Sequence, residues 1–341
     1  MIRIGINGFG RIGTQTYKAA ILSDDIEVVA INAPGHPAKQ VAYVTEYDSA
    51  HGRFRHDISY DEDASTVTVD GKTAKVFDSQ DGRDPANIPW GEYGVDYVME
   101  CTGVFMTQEK SQGHLDAGAK VVVMSGPAKD DTPTFVCGVN LDKYEPSMNF
   151  VSNASCTTNC VAPLAKVVND AFGITEGLMT TVHASTNSQA VVDAFTKRSW
   201  RGGRSVYNNI IPTSTGAAKA VGLVIPELKG KLTGTSLRVP VPDVSVVDLT
   251  CRLTNPAPFD EVCAAIKAAA EGPMKGVLAY TDEEVVSTDF RGDWHTSIFD
   301  STASLALTDD FVKLLAWYDN EWGFSCKMCD LVRHIDAVRN A

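Results

Sequence analysis

Three glycines near the start of the chain, Gly8-x-Gly10-x-x-Gly13, do most to limit what it can fold into. They follow the apolar run 2–6 and precede a helical stretch from Thr14 to Leu22, after which residues 25–31 read as a second strand. A β–turn–α–β unit of about 30 residues with glycines at these spacings opens a dinucleotide-binding fold. Glycines let the backbone turn tightly and approach a pyrophosphate, while a helix N-terminus supplies N–H groups and partial positive charge. The triplet alone is a weak signal; its place between a strand and a helix makes it specific. Gly8, Phe9, Gly10, Arg11, Ile12 and Gly13 are the candidate cofactor-binding residues of this turn, with Asn32 and Ala33 at the end of the second strand.

Further strands are expected at 65–69, 97–101 and 120–124, separated by helix-like stretches, which implies a mostly parallel sheet. Ligands of such sheets bind beyond the strands' carboxyl ends, so Thr102-Gly103 and Ser125-Gly126 are candidate cofactor-facing turns. After about residue 155 the pattern changes. Strand-like segments with polar alternation run over 177–186, 232–239, 244–253 and 311–318, with a helix over 259–270. A half-covered antiparallel sheet fits this pattern. The fold class is therefore α/β, an N-terminal Rossmann-type domain over 1–155 followed by an α+β domain on a mostly antiparallel sheet over 156–322. A final helix, 323–341, is expected to pack back on the first domain.

Two domains suit a chain of 341 residues. The formal net charge of −13 disfavours nucleic acid or an anionic membrane as partner. No apolar run reaches the roughly 18–20 residues that span a bilayer, and the N-terminus does not read as a signal peptide, so a cytoplasmic location is the default expectation. Eight cysteines are scattered along the chain and read as free thiols; no metal site is expected. Cys326-x-x-Cys329 has redox spacing but sits in a helical stretch without a second pair.

Ser155-Cys156-Thr157-Thr158-Asn159-Cys160 opens an apolar-periodic helix reaching about Phe172. That places Cys156 at a helix N-terminus, where the dipole favours the nucleophilic thiolate. Cys160, one turn further, reads as a core thiol. Of the seven histidines, His183 ends an apolar strand and could reach a cleft. Spacing alone leaves open whether it partners the thiol or is satisfied locally.

The glycine turn, the cysteine motif, Pro212-Thr213-Ser214-Thr215-Gly216-Ala217-Ala218-Lys219, Trp317-Tyr318-Asp319-Asn320-Glu321-Trp322, Tyr47-Asp48-Ser49-Ala50-His51-Gly52 and Arg238-Val239-Pro240 together resemble the phosphorylating glyceraldehyde-3-phosphate dehydrogenases. The matches run in order over nearly the whole chain. The resemblance implies oxidation of glyceraldehyde 3-phosphate by NAD(P)+ and inorganic phosphate, through a thiohemiacetal and thioester on Cys156 with His183 as base. It implies a substrate-phosphate site at Thr186, Ser188 and Arg238, an inorganic-phosphate site at Ser155, Thr157, Thr215 and Gly216, and a nicotinamide contact at Asn320. A homotetramer is implied as well. Ala33 departs from the aspartate usual in NAD-specific members, whose carboxylate binds the ribose 2′-OH and repels a 2′-phosphate; NADP use is therefore open. Phe195 stands where NADP-using plastid members often carry serine. The rivals are erythrose-4-phosphate dehydrogenase, against which the intact Thr186 and Thr215-Gly216 speak, and a purely non-catalytic binding role, against which the complete set of catalytic positions speaks.

Overall fold

A computed structural model describes residues 1–196 and 199–341. They fall into two compact units: 1–135 with 141–154 and 325–341, and 136–140 with 155–324.

The first unit is built from β1 (Ile2–Asn7), α1 (Arg11–Ile21), β2 (Ile26–Asn32), α2 (Ala38–Glu46), β3 (Ile58–Asp61), β4 (Thr66–Val69), β5 (Lys72–Phe77), β6 (Tyr97–Glu100), α3 (Gln108–Asp116), β7 (Val121–Met124) and β8 (Phe150–Ser152). Its sheet runs β3-β4-β5-β2-β1-β6-β7-β8. From β5 to β8 every pair is parallel. The central strands are buried residue after residue, as in β7, because parallel strands are covered on both faces. The strand expected at 65–69 is β4, and it runs antiparallel to both neighbours in an edge meander. Turns at Ser65 and Asp70, both in the left-handed region, reverse the chain on either side of it. Trp90 is fully buried among Val29, Ile88, Val95 and Val98. Each such aliphatic side chain contributes about 1.5–3 kcal/mol on burial.

The second unit contains α4 (Cys156–Phe172), β9 (Ile174–His183), β10 (Ile211–Ser214), α5 (Ala217–Val224), β11 (Leu232–Arg238), β12 (Ser245–Leu253), α6 (Phe259–Glu271), β13 (Leu278–Thr281), β14 (Ser297–Thr308) and β15 (Phe311–Tyr318). The sheet order is β10-β11-β9-β12-β15-β14-β13. Its pairs are antiparallel except β11 with β9 and β13 with β14. β12 and β15 alternate buried and half-buried residues, the period of a sheet with one face on the core. The last helix, α7 (Trp322–Arg339), belongs to the first unit from Ser325 onward. There Arg333 forks onto Asp25 at 2.7 and 2.9 Å, and Tyr97 donates to Asp336 at 2.8 Å.

Candidate active site

In the first unit, a cleft of about 380 Å³ opens beyond the carboxyl ends of β1, β2 and β6. Gly8, Phe9, Gly10, Ala33, Cys101 and Thr102 contribute to its lining, with His36 and Gln40 on the α2 side. Gly8 has φ +90°, which favours glycine. A Cβ on Gly13 would lie 2.0 Å from the Gly8 carbonyl oxygen, so only hydrogen fits there. A Cβ on Gly10 would meet nothing within 4 Å, and Gly10 caps α1 without a side chain. The open backbone and the bare helix N-terminus suit a phosphate group. Arg11, Ile12, Gly13, Asn32 and Ser125 lie outside the lining. Arg11 is turned onto Asp48 at 2.9 Å, and Asn32 donates inward to Asn7 and to the Gly82 carbonyl. Burial pushes the Asp48 carboxyl up, but its bonds to His51 and Arg11 outweigh this and hold it far below the carboxylate range. No carboxylate is among the residues lining the cleft.

In the second unit, Ser155 caps α4 by accepting from the Thr158 N–H at 3.0 Å, which makes Cys156 the first helical residue. β9 and β11 run parallel with His183 opposite Arg238, each the last residue of its strand. This shared ending places three side chains together. Cys156 Sγ lies 3.4 Å from His183 Nε2, and Arg238 Nη1 lies 2.7 Å from His183 Nδ1. His183 Nδ1 also lies 2.8 Å from the Ala184 carbonyl oxygen, which accepts from Arg238 at 3.2 Å.

The electrostatics follow from burial and from one cation. Burial, followed by the Arg238 charge, pushes the His183 imidazole down to about 3, so the ring is neutral near pH 7. Burial pushes the Cys156 thiol up, while Arg238, Thr157 and backbone N–H bonds pull it back. The thiolate expected at the helix N-terminus thus meets an opposing desolvation. Arg238 Nε is buried and has no hydrogen-bond partner among the described residues. A buried guanidinium nitrogen left this way is suited to an oxyanion.

The remaining expected hydroxyls have local partners. Thr157 Oγ1 pairs with the Tyr318 hydroxyl at 2.9 Å. Thr186 and Ser188 hydroxyls pair at 2.9 Å, and both engage Gln189. Thr215 Oγ1 accepts from the Ala217 N–H at 3.1 Å, at the start of α5, with Gly216 as its N-cap. α5 packs on α4 and β11, but no hydrogen bond joins Thr215 or Gly216 to the Cys156–His183–Arg238 group among the described residues. Asn320 is buried and accepts from Ser245 Oγ at 2.7 Å. Cys160 is fully buried, with Sγ 3.9 Å from Ser297 Oγ, the core thiol read from its spacing.

Sequence reasoning missed Tyr318. Its hydroxyl bridges Thr157 and Thr181 at 2.9 Å each, and its ring stands edge-on to His183 at 5.9 Å. The signal was available in outline: Tyr318 ends a strand that alternates, so its face is set by the pattern. The partners come from β9 and α4, which only the fold brings together. Ser245 was missed for the same reason; it holds both the Ala184 N–H and Asn320.

Comparison with known proteins bears on this geometry. Residues 2–108 match the glyceraldehyde 3-phosphate dehydrogenase NAD-binding domain, and residues 155–320 match the C-terminal domain of the same enzyme. The chain is 58% identical over 334 residues to the glyceraldehyde-3-phosphate dehydrogenase of Escherichia fergusonii, covering 98% of this chain and 99% of that one. It is 56% identical over 338 residues to a cytosolic glyceraldehyde-3-phosphate dehydrogenase of Pinus sylvestris, covering 99% and 98%. A chloroplastic one from Arabidopsis thaliana is 56% identical over 336 residues, covering 98% and 78%. No helix among the described residues is long and apolar enough to cross a membrane.

Proposed function

The chain belongs to the glyceraldehyde-3-phosphate dehydrogenase family, and from that premise we propose that it oxidises D-glyceraldehyde 3-phosphate to 1,3-bisphosphoglycerate, using inorganic phosphate and NAD(P)+, in glycolysis or gluconeogenesis. The observation that carries the reading is the group Cys156, His183 and Arg238 at one helix start and two adjacent strand ends.

Of the two neutral tautomers, the one with Nδ1–H donated to the Ala184 carbonyl leaves Nε2 a lone pair for the Cys156 thiol; it requires Arg238 Nη1, which can only donate, to give its proton to that carbonyl and not to Nδ1. Sγ bonds to the aldehyde carbon, His183 takes the thiol proton, and the proton passes to the carbonyl oxygen, giving a thiohemiacetal. His183 next takes the hydroxyl proton as the carbon is oxidised to the thioester. The nicotinamide ring, when bound, supplies the hydride acceptor for that step. A phosphate oxygen then attacks the thioester carbon, and Cys156 leaves as thiolate to be reprotonated. The Cys156 N–H and His183 stabilise the oxyanion.

Arg238 offers its unpaired Nε to phosphate. Thr186 and Ser188 would complete the substrate-phosphate site; Ser155, Thr157, Thr215 and Gly216 would form the inorganic-phosphate site. Each hydroxyl has one proton and two lone pairs, so its local bond does not exhaust it. Gly8, Phe9, Gly10, Ala33 and Thr102 fit the dinucleotide through the open cradle and the cleft they line, with Arg11, Ile12, Gly13, Asn32 and Ser125 supporting it. Asn320, its oxygen occupied by Ser245, keeps its amide N–H groups for the nicotinamide carboxamide.

Relaxed cofactor use follows from Ala33. On the α2 side the cleft is lined by His36 and Gln40, bonded to one another at 3.1 Å, and neither repels a 2′-phosphate. Substantial turnover with both NAD+ and NADP+ is expected; undetectable NADP+ turnover would sink this part. Assembly as a homotetramer is supported by large apolar side chains exposed along one stretch, including Val192, Phe195, Trp200 and Ile210. Light scattering that gives the monomer mass would overturn it.

The reaction is tested by following NAD(P)H formation from glyceraldehyde 3-phosphate with and without inorganic phosphate. Sustained turnover is expected only with phosphate. Without it, product should stop near one equivalent per active site, held as thioester. Equal sustained rates in both would rule the mechanism out.

A further inference from the structure

Asn32, Asn7 and Glu100 stand opposite one another at the carboxyl ends of three adjacent parallel strands, β2, β1 and β6. All three are essentially fully buried. The residues that follow them, Ala33, Gly8, Cys101 and Thr102, line the cofactor cleft. A belt of buried polar side chains therefore lies directly behind the cleft wall.

The direction of every bond in the belt is fixed. Trp90 can only donate, and its Nε1 lies 3.0 Å from His114 Nδ1, so Nδ1 accepts and Nε2 carries the proton. That Nε2–H faces Glu100 Oε2 at 3.2 Å. Asn7 Nδ2 donates to the same oxygen at 2.5 Å, and Asn7 Oδ1 accepts from Asn32 at 2.7 Å. Glu100 Oε1 accepts the Thr102 backbone N–H at 2.8 Å and the Thr102 hydroxyl. The Thr102 hydroxyl in turn accepts from the Val104 N–H at 3.0 Å, which ties down the turn.

We infer that Glu100, held by His114, is a positioning residue for the cofactor: it sets the wall formed by Gly8 and Thr102 and so controls dinucleotide affinity. It touches none of the reacting groups. The inference rests on the reading of the cleft as the dinucleotide site.

Glutamine at position 100 has nearly the same shape but the wrong polarity in either orientation. With its amide toward Thr102 it meets a backbone N–H that cannot reverse. Turned the other way it meets His114 and Asn7. His114 can switch tautomer only by facing Trp90 with a second donor, and Asn7 can flip only by facing Asn32 with one.

The test measures NAD+ affinity by calorimetry, with steady-state kinetics, on the full-length wild type and on E100Q, T102V, T102S and E100Q/T102V. E100Q is expected to raise the Kd and KM for NAD+ about tenfold, the worth of roughly one charge-assisted hydrogen bond. Its kcat at saturating NAD+ and its KM for the aldehyde should stay within about twofold of wild type, inside the usual scatter for uncoupled sites. T102V should weaken NAD+ comparably while T102S restores it, and the double variant should be no weaker than the weaker single. E100Q with wild-type NAD+ affinity would overturn the inference, as would equal losses in kcat and both KM values, or fully multiplying losses in the double variant. If E100Q does not fold, equal affinities of T102V and T102S would overturn it alone. A wild type without measurable NAD+ affinity would instead overturn the reading of the cleft.

Discussion

The two sheets present polar groups to a ligand in opposite ways. In the first unit, the part of the cleft at the strand ends offers glycine backbone at Gly8 and Gly10, beside Ala33 and Thr102. Its polar side chains, Asn7, Asn32 and Glu100, are spent behind that surface on holding it still. In the second unit, the reactive groups are themselves the side chains that end the elements: Cys156 at the start of α4, His183 and Arg238 at the ends of β9 and β11. A backbone site is sensitive to added bulk, and a side-chain site to lost atoms. The same chemistry of binding and reacting thus tolerates quite different substitutions in the two places.

The most severe way to test this contrast is to remove one atom's identity from the side-chain site. Cys156→Ser should lower kcat by about four orders of magnitude or more, as for other covalent nucleophiles, while leaving the melting temperature and NAD+ affinity unchanged. Wild-type rates for the serine variant would dismiss the cysteine mechanism. The backbone site should respond to a methyl group instead. Gly13→Ala would push a Cβ to 2.0 Å from the Gly8 oxygen and should cost about 3 kcal/mol of stability in denaturant melts. Gly10→Ala, with open space around it, should leave stability within about 0.5 kcal/mol and act only on cofactor binding. Equal stabilities for the two alanine variants would break the contrast.

A finer test separates charge from shape. The Arg238 cation lowers both neighbours: it favours the Cys156 thiolate and opposes protonation of His183. Arg238→Gln should therefore raise both, so that less thiolate exists at a given pH. The pH curve for alkylation of Cys156 by iodoacetamide should move to higher pH. An unmoved or lower curve would show that Arg238 does not set the thiol. The smallest effect is expected at Tyr318, whose hydroxyl bridges Thr157 and Thr181. Tyr318→Phe should lose about 1–2 kcal/mol of stability, measured by denaturant unfolding, and leave the alkylation curve where it is.

Much of the fold was legible because it rests on period and punctuation. The run from β1 through the glycines to α1, and the alternation of β12 and β15, are local patterns with local causes. β14 was not legible, although it is twelve residues long. Its sequence, SIFDSTASLALT, mixes buried and exposed positions because it shifts register against β15 between Asp300 and Leu305. The antiparallel turn-back of β4 was hidden as well, since strand direction depends on the neighbour and not on the strand's own residues. At the site, Cys156 was readable as the first residue of a capped helix. His183 stood out by its place at a strand's end, but its neighbour Arg238 comes only from the pairing of that strand with β11.

By itself, then, the sequence determined which residue types this protein has for its chemistry and where its helices and strands begin: a thiol at a helix start, glycines where bulk is forbidden, no carboxylate at position 33. Those follow from steric and capping rules that act over a few residues. The tertiary structure alone decided that His183 and Arg238 end side by side, that Tyr318 ties β9 to α4, and that Glu100 is answered by Asn7, His114 and Thr102. Those depend on register between strands far apart in the chain, and on burial, which sets how strongly each charge is felt.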